Sequence, residues 1–139
     1  MGRALDTCTL SDILRGRPEV LLKYKRFEGQ CCTTAIALAE AYRGVDRPRK
    51  GSTPPANAEQ FYDWVAGAMP VLPFDIRAAR TYGKCEACLP DGITIGWPDV
   101  AIAAIVLAQD DAHVLVTSNS GHFQHFCTLG LMIENWRAT

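Results

Sequence analysis

The chain has 139 residues, of which 48% are hydrophobic and 21% charged, a composition typical of a globular domain. This length suffices for one domain with its own core and is short for two, so we expect a single domain over residues 1–139. The net charge of −1 excludes a strongly basic protein that binds nucleic acid through its overall charge. The longest apolar run, residues 100–108, is too short to span a bilayer, so no membrane association is expected.

The six cysteines and the N-terminus bear on the cellular compartment. The N-terminus lacks the apolar segment of a secretory signal peptide, which predicts a cytoplasmic protein with reduced thiols. Cys85 and Cys88 have the spacing of two zinc ligands, but no second pair completes a zinc site. Two thiols on a partly buried helix are therefore the favoured interpretation of this pair.

Positive charge is concentrated in the first third of the chain. It forms two clusters, over residues 15–26 and 43–50, whereas residues 51–139 are net acidic. Two interpretations of the clusters remain open, namely solvated helix faces or a surface that contacts phosphate groups.

Apolar segments of strand length alternate along the chain with segments of helical periodicity. This alternation predicts an α/β fold with a mainly parallel central sheet flanked by helices. The predicted strands are residues 4–6, 31–33, 71–74, 113–117 and 131–134. The predicted helices are residues 9–15, 18–27, 35–43, 58–68, 76–88 and an almost wholly apolar, buried helix that starts at Pro98.

Several residues have the chemistry of helix ends. Thr34 and Asp75 are predicted to cap the helices that follow them, and Asn57 with Gln60 resembles a capping box. Gly44 is predicted to end the third helix, ahead of a proline- and charge-rich loop over residues 46–56.

Four oxygen-bearing side chains are expected at one edge of the sheet. Asp6 and Asn119 follow predicted strands, Glu40 lies on a crossover helix, and Asp99 opens the apolar helix. Ligands of open parallel sheets bind at the carboxyl ends of the strands, where these residues are placed. Taken singly, each has an ordinary alternative as a helix cap, a solvated helix residue or a turn residue. Together they favour a shared site.

Clustered carboxylates repel one another, so their negative charge has to be compensated by a positive group. Two carboxylates about 4 Å apart repel by about 4 kcal/mol at an effective dielectric constant near 20. Because all the candidate ligands are oxygens, Mg²⁺ or Mn²⁺ is the expected compensating ion at Asp6, Glu40 and Asp99. Such an ion polarises a phosphate oxygen and supplies hydroxide, which indicates a metal-dependent phosphodiesterase.

Several motifs carry a family resemblance. The segment at residues 5–11, Leu-Asp-Thr-Cys-Thr-Leu-Ser, resembles the opening motif of PIN-domain nucleases, in particular the VapC-like toxins. Residues 34–40 resemble the second acidic block of that family, and residues 95–104 resemble the third. Residues 115–119, with Phe123, are similar to its C-terminal part. The matches keep their order and spacing over nearly the whole chain.

The resemblance implies a Mg²⁺- or Mn²⁺-dependent endoribonuclease that is the toxin of a toxin–antitoxin pair. It implies Asp6, Glu40 and Asp99 as the acidic metal ligands and Asn119 as a more variable fourth catalytic position. It also implies an RNA substrate, a homodimer and a small antitoxin with a basic tail. We expect the homodimer to bury apolar surface of the N-terminal helices and of the helix over residues 76–82.

Cys8 departs from the family pattern, which usually has a polar residue, often asparagine, at this position. The departure leaves open an alternative function, a catalytically weakened binding module of the same fold that acts through its partner.

Other classes of α/β protein fit the sequence less well. A phosphoacceptor receiver domain needs a lysine near the last strands, and the chain has none after Lys84. A thiol hydrolase lacks an identifiable histidine base. His122 and His125 are interpreted as surface-turn residues rather than metal ligands.

Overall fold

The computed structural model describes residues 1–137. Its strands are β1 Gly2–Leu5, β2 Cys31–Thr34, β3 Val71–Leu72, β4 His113–Val116 and β5 Met132–Glu134. Its helices are α1 Thr7–Leu14, α2 Pro18–Arg26, α3 Ala35–Asp46, α4 Ala58–Ala68, α5 Ile76–Cys88, α6 Trp97–Leu107 and α7 Ser120–Phe123. A 3₁₀-helix, Gln124–Leu129, follows α7 directly.

The strands form a five-stranded parallel sheet in the order β3-β2-β1-β4-β5. The fold class predicted from the alternation of segments is therefore confirmed. The chain adds β2 and β3 on one side of β1 and later adds β4 and β5 on the other. The carboxyl ends of β1 and β4 thus flank the point at which the strand order reverses, where open α/β sheets bind their ligands.

The sheet packs on α6, the predicted buried helix. Each of its seven residues from Val100 to Val106 is buried, because the helix lies under the sheet with other helices around it. One core cluster joins this helix to Leu115 of β4 and to the fully buried rings of Phe123 and Phe126. A second cluster packs α1, α3 and α4 near Leu5 of β1. The two clusters fix the ends of β1 and α6 relative to one another.

Two of the predicted caps are confirmed and one is wrong. The Thr34 hydroxyl accepts a hydrogen bond from the Ala37 amide at 3.0 Å, and the Asp75 carboxylate accepts one from Ala78 at 3.0 Å. Asn57 makes no capping hydrogen bond through its side chain, because its backbone (φ −96°, ψ 15°) is not in the extended conformation of such caps.

The predicted end of the third helix at Gly44 is also wrong. The helix α3 continues to Asp46, because its apolar face continues through Ala41 and Val45, which pack against the second core cluster. Glycine costs roughly 1 kcal/mol in a helix interior, and this packing offsets that cost.

Two further predictions differ from the structure. The predicted strand over residues 71–74 is shortened to two residues, Val71–Leu72. The predicted surface turn around His122 is a helical segment.

The thiols agree with the interpretation made from sequence. Cys85 is fully buried, and the Cys88 thiol donates to the Cys85 carbonyl at 3.2 Å, as on an ordinary partly buried helix. Burial raises the pKa of the Cys85 thiol to about 11, so this group stays protonated near neutral pH.

Over residues 1–137, no helix combines the length and the apolar character that a membrane span requires.

Candidate active site

The four residues singled out from the sequence line one cavity. Asp6, Glu40, Asp99 and Asn119 all face a space of about 560 Å³ at the carboxyl ends of β1 and β4. They come from four different elements or connections, and the parallel sheet is what brings them to one edge. The placement expected from the strand pattern is thus what the structure has.

Asp6 is the most firmly held of the three carboxylates. It directly follows β1 and caps α1, with its Oδ1 accepting a hydrogen bond from the Thr7 amide at 2.7 Å. Its Oδ2 accepts a second hydrogen bond from the Thr117 hydroxyl, just after β4, at 2.9 Å. Asp6 is only 4% exposed. Asp6 is therefore a helix cap, which was the alternative role considered from the sequence, and it also forms part of the cavity wall.

Cys8 lies beside Asp6 in the same wall. Its sulfur is 3.7 Å from Asp6 Oδ2 and 3.5 Å from the Thr117 hydroxyl, and it accepts a hydrogen bond from the Ser118 amide at 3.4 Å. A thiol is a weak donor, so this contact orients Asp6 less firmly than a side-chain amide would. Most of the orientation of Asp6 therefore comes from Thr7 and Thr117.

Glu40 is held across the cavity by a residue of α1. The Thr7 hydroxyl donates a hydrogen bond to Glu40 Oε1 at 2.9 Å, so one threonine links Glu40 to the cap formed by Asp6. Glu40 is half-buried on α3. It lies midway along α3, and its carboxylate lines the cavity.

Asp99 lies in the first turn of α6, where Pro98 provides the helical backbone angle at the start of the helix. Its Oδ2 is 2.8 Å from His122 Nδ1 and 3.4 Å from the Asn119 amide nitrogen, which donates to it. Asn119 and His122 are also within 2.8 Å of one another. These two polar side chains hold Asp99 from the side of α7.

The cavity carries negative charge that the surrounding protein compensates only in part. Burial raises the pKa of Asp6, and the charge of Asp99 raises it further, although hydrogen bonds from Thr7 and Thr117 oppose the rise. Burial likewise raises the pKa of Glu40, and repulsion from Asp6 and Asp99 adds to the rise, whereas the hydrogen bond from Thr7 and, to a smaller extent, Arg43 oppose it. Repulsion from neighbouring carboxylates therefore disfavours the charged forms of Asp6 and Glu40, and a bound cation would relieve it.

The donor set fits a hard divalent cation by its chemistry, because three carboxylates and an amide supply only oxygen ligands. Within residues 1–137, however, no three His, Cys, Asp or Glu side chains stand close enough together to hold an ion among them. The three carboxylates therefore line the same cavity, but in this arrangement they are not close enough together to coordinate one ion.

Two features of this site were not predicted from the sequence, namely the contact of His122 with Asp99 and the position of Arg15 and Arg49 in the cavity wall. His122 was expected on a surface turn, yet it contacts Asp99, because α7 turns back over the start of α6. Of the two basic clusters, only Arg15 and Arg49 line the cavity. The signal for His122 was its spacing of three from Asn119, which places both on one face only if the segment is helical.

Comparisons with known proteins agree with this architecture. A family model described as "PIN domain" matches residues 3–128. Ribonuclease VapC2 of Haemophilus influenzae is 29% identical over 134 residues, which cover 95% of this chain and 96% of that protein.

Two solved structures share the fold over almost their full length. One is the DNA-bound VapBC complex of Salmonella typhimurium, in which the matched chain is 25% identical, has a TM-score of 0.81 and is aligned over 98% of both chains. The other is VapBC2 of Rickettsia felis bound to a promoter DNA fragment, with 23% identity, a TM-score of 0.79 and 98% and 99% of the chains aligned. The family predicted from the sequence motifs is therefore confirmed, and the chain belongs to the PIN-domain family.

Proposed function

We propose that this chain is a metal-dependent endoribonuclease, the toxin of a cytoplasmic toxin–antitoxin pair. The observation that carries the proposal is the meeting of Asp6, Glu40 and Asp99 in one cavity, where burial and mutual repulsion raise the pKa of the first two. The similarity to a VapC ribonuclease supports RNA as the substrate.

Asp6, Glu40 and Asp99 would hold Mg²⁺ or Mn²⁺, and Asn119 would complete the catalytic set. A cation held there would polarise the phosphate and would lower the pKa of a water molecule, which would then supply the nucleophile. Thr7 and Thr117 fix the direction of the Asp6 carboxylate, and Thr7 also restrains Glu40. Preorganised ligands of this kind avoid the cost of ordering the site during the reaction.

The alternative is a PIN-fold binding module with weakened catalysis. Cys8 motivates it, because the long 3.7 Å contact of the thiol supports Asp6 only weakly. The position of Asp6, Glu40 and Asp99 around one cavity favours the nuclease, because the repulsion among three carboxylates is relieved when a cation binds between them.

The test is cleavage of a mixed RNA pool by purified protein. We expect fragments to accumulate with Mn²⁺ or Mg²⁺ and to disappear when EDTA removes the metal. Fragments that persist in EDTA would point to a contaminating metal-independent nuclease. Intact RNA at every metal concentration, with protein shown to be folded by circular dichroism, would favour the binding module.

We further propose a small antitoxin with a basic tail as the partner, in line with the VapBC complexes that share the fold. A guanidinium group that entered between the carboxylates would neutralise the same charge as a cation. Metal and antitoxin should then compete, so calorimetric titration of Mn²⁺ should show weaker binding to the complex than to the free chain. Equal affinities would mean that the antitoxin acts at another surface.

We also propose a homodimer. Two apolar side chains on the surfaces expected from the sequence are largely exposed, Leu22 on α2 at 71% and Ile76 on α5 at 87%. Burial of such side chains against a second copy would remove apolar surface from water. Light scattering at micromolar concentration should give twice the mass of one chain, and a monomeric mass would contradict the proposal.

A further inference from the structure

The cavity is larger than a metal site requires. An ion with six water ligands fills about 180 Å³, at about 30 Å³ per water molecule. The cavity measures about 560 Å³, within the range of about 300–1,000 Å³ in which proteins bind small organic molecules. More than half of the space is therefore available to something other than the ion and its ligands.

The additional space extends along α1, away from the carboxylates. Asp6 precedes the first residue of this helix and Arg15 follows the last, so about 13 Å separates the two backbone positions at 1.5 Å per residue. Both residues line the cavity. The cavity therefore has an acidic end at Asp6 and a basic end at Arg15.

The loop between α3 and α4 also lines the cavity and contributes a second guanidinium group, that of Arg49. Apolar side chains that neighbour these two arginines along the chain also line the cavity. They are the half-buried Leu14, Val45, Pro54 and Pro55. An apolar wall beside two exposed guanidinium groups offers a surface for a flat ring together with donors for an anion.

We propose that this extension is a subsite for one nucleotide of RNA next to the cleaved bond. Arg15 and Arg49 contact the phosphate of that nucleotide, and the apolar wall contacts its base and sugar. The inference rests on the proposed nuclease function and deepens it. The carboxylate end would hold the cation beside the reacting phosphate, while the arginine end binds the neighbouring phosphate directly.

The charges of the cavity favour RNA over other occupants. A basic peptide that filled this end would be repelled by two guanidinium groups, and an acidic peptide would meet three carboxylates at the other end. RNA avoids both conflicts, because a cation screens its reacting phosphate at one end and the arginines bind the next phosphate at the other.

The experiment is a salt titration of RNA binding. A fluorescent single-stranded RNA is bound to wild-type protein and to the variants Arg15→Gln, Arg49→Gln and the double variant, in EDTA to prevent cleavage. The missing cation weakens RNA binding to the same extent in all of these proteins, because their carboxylates are identical, so differences among them report the arginines. Each lost phosphate contact should reduce the slope of log K against log salt by about 0.7, and the double variant by about 1.4. Each single variant should also bind about tenfold more weakly at low salt.

Arg47→Gln is the matched control, because Arg47 is exposed near the same loop and does not line the cavity. It should keep the wild-type slope. Unchanged slopes in the Arg15 and Arg49 variants, or an equal loss in the Arg47 variant, would overturn the subsite. A poly-glutamate peptide that binds as tightly as the RNA would also overturn it, in favour of an acidic protein partner.

Cleavage is measured separately with Mn²⁺, which keeps the two proposals distinguishable. Wild-type protein that binds RNA through Arg15 and Arg49 without cutting it would refute the nuclease and leave the binding of an RNA phosphate by these two arginines standing. Cleavage by wild-type protein, with unchanged RNA binding in both variants, would refute the subsite alone.

Discussion

Replacement of Asp99 by asparagine is expected to lower the rate of RNA cleavage by at least about a hundredfold while the domain stays folded. The substitution removes a charged ligand from the proposed metal site and changes the side-chain volume very little. The new amide oxygen can still accept the hydrogen bond from Asn119. Because Asp99 contributes to the raised pKa of both Asp6 and Glu40, its loss also relieves repulsion. The free energy of unfolding without metal should therefore equal or exceed that of the wild type.

The measurement is the initial rate of cleavage in Mn²⁺, together with a urea denaturation curve for each protein. Asp110→Asn is the matched control, since Asp110 lies outside the cavity and pairs with Arg77 at the surface, with its side chain 85% exposed. This control should retain wild-type activity. Full activity of the Asp99 variant at matched purity would remove Asp99 from the mechanism.

Replacement of Phe123 by alanine is expected to have the largest effect on stability, about 3–5 kcal/mol. The Phe123 ring is fully buried in the core cluster that also contains Phe126 and Leu131. Its removal leaves a cavity under α7, the helix that carries His122. A loss of this size is a large share of the total of about 5–15 kcal/mol that stabilises a typical domain.

Urea denaturation of the two variants Phe123→Ala and Phe74→Ala provides the comparison. Phe74 is 41% exposed, so its truncation removes the same atoms from a site that water already reaches, and the expected cost is below about 1.5 kcal/mol. Equal losses in the two variants would show that the Phe123 ring contributes no more to the core than a surface ring does.

The local elements of this protein could be predicted because their signals lie within a few residues of one another. Thr34 and Asp75 have capping chemistry next to the helices they cap, and the unbroken apolar run of α6 has no polar face to present to water. Predictions failed where the outcome depended on packing from elsewhere. The third helix passes through Gly44 because Val45 packs on a distant core, a contact that no neighbouring residue reveals.

The sequence by itself determined the alternation of strands and helices, the buried helix, the four candidate residues and, through its motifs, the family. Only the tertiary structure decided which side chains meet. Asp6 and Thr117 are 111 positions apart and are joined because β1 and β4 pair in parallel. In the same way, α7 brings His122 to Asp99, and helix packing places Arg15 and Arg49 in the cavity while other basic residues stay outside. The physical reason is that local propensity specifies the elements, whereas strand register and core packing specify their mutual positions.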